Sequence, residues 1–209
     1  LGTQVLVCVS KFHPADAIRE AYEAGERDFA ESRVQELVSK QDSLPKDIRW
    51  HFIGHLQTNK VRSILPFIYL IQSVDSLHLL EYINQEAGKI NKTIHVLLEA
   101  HVAQEQTKSG FSIDELTNLL DQLENGQIIL PNVHIAGIMA MSTNTDNEAE
   151  QRRCFNMAHN LLLHPYFCQL QQTEQPILSI GMSDDYNVAI ECGSTMVRIG
   201  TTIFGNRNY

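Results

Sequence analysis

Segments typical of β-strands alternate with segments typical of α-helices along the whole chain, and this alternation most limits the possible fold. Period-two apolar runs predict strands, and 3.6-residue apolar spacing predicts the helices between them. The predicted strands are residues 4–10, 27–32, 49–54, 69–74, 93–102, 133–141, 176–183 and 195–205. The predicted helices are residues 14–25, 34–44, 58–65, 76–90, 113–126, 148–163 and 184–193.

Eight strands with a helix between each pair predict a closed (β/α)8 TIM barrel. An open doubly wound sheet is the alternative architecture. That fold needs a glycine-rich turn after its first strand, and the turn here, SKFHP, contains no glycine. No linker or low-complexity tract divides the chain, so we expect one barrel domain over residues 1–209, without a helix before the first strand. Capping boxes at Ser112–Glu115 and Thr145–Glu148 are expected to begin two of the helices.

The net charge of −9 argues against nucleic acid or an anionic membrane surface as a partner. No apolar run reaches the roughly 18 residues that a membrane helix needs, and the first residues do not resemble a signal peptide. The four cysteines form no C-x-x-C pair, which predicts buried free thiols in a reducing compartment. We therefore expect a cytoplasmic protein, and we expect it to be a monomer.

The stretch 5-VLVCVSKFHP-14 places Lys11 at the end of a strand that should be buried. Val5, Val7 and Val9 share a side with this lysine in a period-two strand, and are expected to wall it off from water. Partial desolvation favours the neutral, nucleophilic amine, which forms Schiff bases with carbonyl compounds. The alternative is a solvated charge on the rim of the barrel.

The reactive groups of such barrels lie at the carboxyl ends of the strands, and the loops after strands seven and eight often bind phosphate. The segment 181-GMSDD-185 and the segment 200-GTT-202 supply small residues, hydroxyls and backbone N–H groups there. Arg198 lies on strand eight and should face the same mouth as Lys11. A lysine, a phosphate cup and an arginine together fit pyridoxal 5′-phosphate (PLP), with the aldehyde at Lys11 and Arg198 at the pyridine nitrogen.

Simpler interpretations of these residues stay open. Arg198 could be the buried ion-pair partner of Glu99 or Glu31. The glycines near the carboxyl ends could only relieve crowding at bends of the barrel. His51 and His55 in WHFIGH suggest a metal, but no third ligand is evident and no metal is predicted.

The chain closely resembles the pyridoxal phosphate homeostasis proteins, relatives of the N-terminal barrel domain of alanine racemase. The resemblance is carried in order by VSK, FAESRVQE, WHFIGHLQTNK, QTKSGF, GIMAM, LSIGMSDD and GSTMVRIGTTIFGNRNY. It implies that Lys11 holds PLP as a Schiff base and that Arg198 faces the pyridine nitrogen. It also implies that Ser183, Gly200 and Thr201, with the backbone of Met182, hold the phosphate.

Two features depart from the pattern of the family. Many members have Glu-Asn where this chain has Glu31–Ser32, and many begin with an extra N-terminal helix. The resemblance implies a protein that buffers PLP or delivers it to apo PLP-dependent enzymes, with no turnover of its own.

An amino-acid racemase using Lys11 as a base is the alternative function, and a barrel scaffold without a ligand is a third. Racemisation needs a base on each face of the cofactor, and in alanine racemase a tyrosine of a second domain supplies the other base. This chain ends at Tyr209, directly after strand eight. None of its other tyrosines has an evident route to the far face, so we expect no racemisation; they are Tyr22, Tyr69, Tyr82, Tyr166 and Tyr186.

Overall fold

The computed structural model describes residues 2–105 and 109–205. Eight parallel strands in these ranges close into a barrel in chain order, and β1 pairs with β8. The strands are β1 (Val5–Val9), β2 (Asp28–Glu31), β3 (Arg49–Phe52), β4 (Ile68–Val74), β5 (Ile94–Ala100), β6 (Val133–Ala140), β7 (Ile177–Ser179) and β8 (Met196–Ile199). The predicted (β/α)8 barrel is therefore confirmed.

Helices connect the strands, and the described ranges contain nine of them. They are α1 (Ala15–Glu23), α2 (Val34–Ser43), α3 (Thr58–Ile64), α4 (Leu77–Lys89), α5 (Ile113–Glu124), α6 (Glu148–Leu161), α7 (Pro165–Leu170), α8 (Tyr186–Glu191) and α9 (Thr201–Phe204). Among the described residues, no helix combines the length and the apolar character that a membrane crossing requires.

The apolar core has two parts, because alternate residues of each strand point to opposite faces of the sheet. The larger part packs the outer face of the barrel against the helices. The smaller part fills the interior of the barrel and consists of Val7, Val9, Ala30, Leu70, Leu97, Ala136, Met139 and Met196. Polar side chains share this interior, and His51, Gln72, Ser179 and Arg198 are all at most 3% exposed.

The predicted last strand was too long. Residues 195–205 were expected to be extended, but β8 ends at Ile199 and Thr201–Phe204 form a short helix. The β-branched Thr201, Thr202 and Ile203 favour strands locally. They lie beyond the end of the barrel ladder, where no neighbouring strand pairs with them, and the chain turns there at Gly200.

Two details of the helices differ from the prediction. No helix was predicted where α7 lies, although Pro165 stands at its first turn, where proline is favoured. The capping box at Ser112–Glu115 is confirmed, but Asn147 rather than Thr145 caps α6 by accepting from the Ala149 N–H. Of the cysteines, Cys8, Cys154 and Cys192 are buried as expected and Cys168 is exposed, and all four are free thiols.

Candidate functional site at the carboxyl-end mouth of the barrel

The six residues singled out from the sequence surround one cavity of about 260 Å³. Lys11 follows β1, Met182 and Ser183 follow β7, Arg198 lies on β8, and Gly200 and Thr201 follow β8. All of these positions are at the carboxyl ends of their strands, where such barrels bind ligands. The rest of the wall is made by Val9, His13, Ile53, Met139, Met141 and Asp184.

The valine wall proposed for Lys11 is narrower than the sequence indicated. Val9 is 8% exposed and lines the cavity beside Lys11. Val7 is fully buried in the barrel interior, while Val5 is 40% exposed and lines a cavity at the opposite mouth. Lys11 itself is half-buried. The prediction was wrong for Val5 because β1 runs from one mouth of the barrel to the other. Residues on the same face of the strand therefore lie at different positions along the barrel axis, and Val5 is at the far end from Lys11.

The backbone on both sides of Lys11 is held by charged side chains of α2. The Lys40 ammonium donates to the Ser10 carbonyl at 2.9 Å, and the Phe12 N–H donates to Glu36 Oε1 at 2.7 Å. Phe12 has φ 69°, in the left-handed region that a bulky residue occupies only when its surroundings enforce it. These two hydrogen bonds fix the path of the backbone after β1, and they therefore position the Cα atom from which the Lys11 side chain extends.

Lys40 joins a group of polar residues that we call the Lys40 cluster, namely Ser10, Glu31, Glu36 and Lys40. Its ammonium lies 2.7 Å from Glu31 Oε1 and 2.6 Å from Glu36 Oε1, and the Ser10 hydroxyl donates to Glu31 Oε1 at 2.6 Å. Glu31 is fully buried, and burial raises the pKa of its carboxyl group while Lys40 opposes that shift. Among the described residues, Glu31 Oε2 finds no hydrogen-bond donor.

Arg198 is fixed in the interior wall of the cavity by oxygen acceptors. Its guanidinium donates to the Ser179 carbonyl at 2.7 Å, the Ser179 hydroxyl at 2.6 Å and the Ala140 carbonyl at 3.0 Å. Burial lowers the pKa of Arg198 to about 10, although Asp185 and Glu99 act in the opposite direction. An arginine at this pKa still carries its charge at neutral pH.

The alternative of a buried ion pair for Arg198 finds no support among the described contacts. Glu31 pairs with Lys40, and Glu99 accepts from the Ser109 hydroxyl at 2.9 Å. Burial raises the pKa of Glu99, and Arg198 only reduces that rise. The charge of Arg198 is therefore available to a ligand in the cavity.

The loop after β7 is braced by a carboxylate. The Met182 N–H donates to Asp185 Oδ1 at 2.6 Å, and the Ser142 hydroxyl donates to Asp185 Oδ2 at 2.7 Å. Gly181 has φ +95°, and a Cβ atom there would lie 2.6 Å from that of Ala189, so this turn requires glycine. The predicted phosphate contact of Met182 thus uses an N–H that Asp185 already engages.

The other predicted phosphate contacts come together where β8 ends. The Gly200 N–H donates to the Ser183 hydroxyl at 3.4 Å, and α9 begins at Thr201, whose side chain is exposed. A Cβ atom at Gly200 would lie 3.2 Å from the Val9 carbonyl oxygen, so glycine keeps this approach open. Hydroxyl and amide donors of this kind suit an anion.

The two histidines considered as metal ligands have different surroundings. His51 is buried and lies 3.0 Å from Asp28 and 2.9 Å from the Gln72 amide. His55 is exposed and lies 3.1 Å from Asp75. Elsewhere in the described residues, Asp121, Glu124 and His164 approach one another on the surface, but exposed acidic groups commonly do so without a metal.

The sequence interpretation missed two sets of residues behind the cavity. The Lys40 cluster supports the backbone around Lys11, and Ser179 and Gln72 lie behind Arg198. A signal was present for the second set, because Gln72 and Ser179 are polar residues in the middle of predicted buried strands. Their partners on distant strands could not be identified from local patterns.

Comparisons with known proteins agree with this geometry. The family model of the alanine racemase N-terminal domain matches residues 2–208. The pyridoxal phosphate homeostasis protein of Haemophilus influenzae is 40% identical over 100% of this chain and 87% of its own length. The protein of the same name from Pasteurella multocida is 38% identical over 98% of this chain and 87% of its own length.

Solved structures show the same similarity. PipY of Synechococcus elongatus is 36% identical to this chain, and each match covers 98% of this chain and 94% of that one. The TM-score is 0.88 for PipY without PLP and 0.84 for PipY with PLP bound. This chain therefore belongs to the pyridoxal phosphate homeostasis protein family, whose barrel is of the alanine racemase N-terminal domain type.

Proposed function

We propose that this chain binds PLP in the cavity at the carboxyl-end mouth and serves in PLP homeostasis. Lys11 would hold the aldehyde carbon of PLP as a Schiff base, and Arg198 would face the pyridine nitrogen. Ser183, Gly200 and Thr201, with the backbone of Met182, would hold the phosphate. We further propose that residues 1–209 act as one barrel domain.

The observation that carries this proposal is the convergence of a lysine, a buried arginine and a hydroxyl-lined loop on one cavity. The donor set fits PLP, because it provides a primary amine, a fixed positive charge and neutral donors for an anion. Gly200 keeps the backbone accessible where the end of β8 approaches Val9 at the cavity, and Gly181 permits the turn after β7 that packs against Ala189. A protein with a net charge of −9 needs such local donors to retain a phosphate.

PLP supplies an aldehyde that condenses with a primary amine and releases water. Lys11 presents its amine beside the apolar wall made by Val9 and Met139. Arg198 holds a fixed positive charge that disfavours protonation of a neighbouring ring nitrogen. Asp185 would have to share or release the Met182 N–H for that group to donate to a phosphate.

The role of holding and passing on PLP, rather than turnover, is supported by the relatives. The similar proteins of Haemophilus influenzae and Pasteurella multocida are named homeostasis proteins and not enzymes, and PipY has been solved with PLP bound. We propose apo PLP-dependent enzymes as the recipients, and the monomeric state and the cytoplasmic location stay predictions.

An absorbance titration of the purified protein with PLP tests the proposal. After unbound PLP is removed, a visible band should remain with the protein at one equivalent of PLP, and Lys11→Ala should abolish it. Lys60→Ala is the matched control, because Lys60 lies outside this cavity and should leave the band unchanged. A band that survives in Lys11→Ala, or no band in the unaltered chain, would contradict the proposal.

A further inference from the structure

A row of buried polar side chains runs through the barrel interior from Arg198 toward the opposite mouth. The Arg198 guanidinium donates to Ser179 Oγ at 2.6 Å, and Ser179 Oγ donates to Gln72 Oε1 at 2.6 Å. Gln72 Nε2 lies 2.9 Å from His51 Nδ1, and His51 Nε2 lies 3.0 Å from Asp28 Oδ1. We call this set, Asp28, His51, Gln72, Ser179 and Arg198, the interior network.

With the Gln72 amide oriented so that its oxygen faces Ser179, one placement of hydrogens satisfies every contact of the interior network. A guanidinium can only donate, so Ser179 Oγ accepts from Arg198 and gives its own hydrogen to the Gln72 carbonyl. The NH2 group of the Gln72 amide then faces His51 and donates a hydrogen bond, so His51 Nδ1 must be the acceptor. His51 therefore carries its hydrogen on Nε2, donates it to the Asp28 carboxylate, and is neutral.

The charges at the far end agree with this placement. Burial would raise the pKa of Asp28, but hydrogen bonds from Arg49 and His51 lower it to about 2. Burial lowers the pKa of His51, which favours the neutral ring, although Asp28 acts in the opposite direction. Asp28 is thus a fixed acceptor that Arg49 holds at the far end of the network.

We propose that Ser179, Gln72 and His51 are positioning residues that hold the Arg198 guanidinium in the cavity wall through this one-directional set of hydrogen bonds. The five members are at most 6% exposed and come from five different strands. A barrel interior of apolar side chains would be at least as stable. The hydrogen bonds of buried polar groups do little more than offset the free-energy cost of removing those groups from water. The feature that an apolar interior would lose is the fixed orientation of Arg198.

The bonds made by Arg198 indicate what that orientation achieves. Its contacts with Ser179 and Ala140 use three of the five guanidinium N–H groups. Without the Ser179 hydroxyl, one N–H of Arg198 Nη1 loses its acceptor, and the contacts with the Ser179 and Ala140 carbonyls remain. Loss of the Ser179 hydroxyl therefore frees the guanidinium to tilt, and the ligand that it faces should sense the change. This inference rests on the proposed PLP site.

The test combines ligand binding with measurements on the ligand-free protein. Ser179→Ala should weaken PLP binding about three- to tenfold and shift the absorbance maximum of the bound ligand. The matched control is Ser194→Ala, since Ser194 is equally buried but donates only to backbone carbonyls near β7 and β8. It should match the unaltered protein in affinity and spectrum.

Nitrogen-15 NMR of the histidine rings gives the second arm. Without ligand, His51 should show a protonated Nε2 and an unprotonated Nδ1. Gln72→Glu places a carboxylate against Nδ1 and should add a proton there. Ser179→Ala removes an acceptor of Arg198 and should accelerate the exchange of the Arg198 N–H groups with solvent.

The outcomes separate this proposal from the proposed function. If the unaltered protein binds no PLP, the proposed function fails. The protonation of the His51 ring and the exchange of the Arg198 N–H groups, both measured without ligand, still test whether the interior network positions Arg198. If Ser179→Ala matches Ser194→Ala in affinity, spectrum and Arg198 exchange, the positioning role is overturned. A His51 ring that carries its hydrogen on Nδ1, or that does not respond to Gln72→Glu, overturns it as well.

Discussion

Substitution of Lys40 by methionine tests whether the Lys40 cluster supports the backbone that carries Lys11. Methionine keeps the length of the side chain and removes the charge. The substitution deletes contacts of 2.7 Å to Glu31, 2.6 Å to Glu36 and 2.9 Å to the Ser10 carbonyl. Because Glu31 is fully buried, losing its cationic partner should lower the free energy of unfolding by about 3–5 kcal/mol near pH 8.

The decrease in the free energy of unfolding caused by Lys40→Met should be larger at high pH than at low pH. Burial raises the pKa of Glu31 from 4.5 to about 7 in the folded protein, and Lys40 opposes that rise. Without Lys40 the folded pKa rises further above the unfolded value, so Glu31 takes up a proton on folding. The destabilisation is then present at high pH and fades as pH falls through the folded pKa toward 4.5. Because Glu31 of the unaltered protein itself takes up its proton at about pH 7, the variant should recover about 1.4 kcal/mol of the loss between pH 8 and pH 5.

Denaturant unfolding followed by the fluorescence of Trp50, the single tryptophan, measures both effects. Lys89→Met is the matched control, because Lys89 is 51% exposed and pairs with Glu86 at the surface. Its unfolding free energy should change by less than about 1 kcal/mol. A loss in Lys40→Met no larger than in Lys89→Met, or an equal loss near pH 5 and pH 8, would refute the reasoning.

Three further predictions concern the cavity. Ser183→Ala and Thr201→Ala should each weaken PLP binding by about 1–3 kcal/mol in equilibrium titrations. Pyridoxal, which lacks the phosphate, should bind far less tightly than PLP. Equal affinity for pyridoxal and PLP would refute the assignment of these residues to the phosphate. Arg198→Glu should allow a proton on the ring nitrogen and change the absorbance spectrum of bound PLP, so an unchanged spectrum would place Arg198 away from the ring. The PLP-loaded protein should not racemise L-alanine in deuterated water, because no tyrosine of the described residues lines the cavity. Tyr209 lies outside the described residues. The appearance of deuterated D-alanine would contradict this prediction.

The barrel could be predicted because its signal is local and repeated. Each strand and each helix has its own apolar period, and their order leaves few ways to close the sheet. The position of Lys11 at the cavity followed from the same logic, since the end of β1 marks the mouth of the barrel. The end of β8 could not be found this way, because Thr201 and Ile203 have strand propensity but no neighbouring strand to pair with.

The interior network was out of reach for a different reason. Gln72 and Ser179 are 107 positions apart in the chain, and their contact exists only because the barrel closes. The Lys40 cluster was missed because Lys40 has the spacing of an ordinary surface residue on α2, whereas Glu31 and Glu36 draw it inward. In both cases the role of the residue is determined by tertiary contacts, and the local sequence pattern does not identify the partners.

Borohydride reduction followed by peptide mapping tests the central claim most directly. The protein is saturated with PLP, reduced so that a Schiff base becomes a stable secondary amine, digested, and analysed by mass spectrometry. The account predicts the added pyridoxyl phosphate mass on the peptide that contains Lys11, at close to one equivalent. A label on Lys40, Lys60 or Lys108 with Lys11 unmodified, or no label at all, would contradict it.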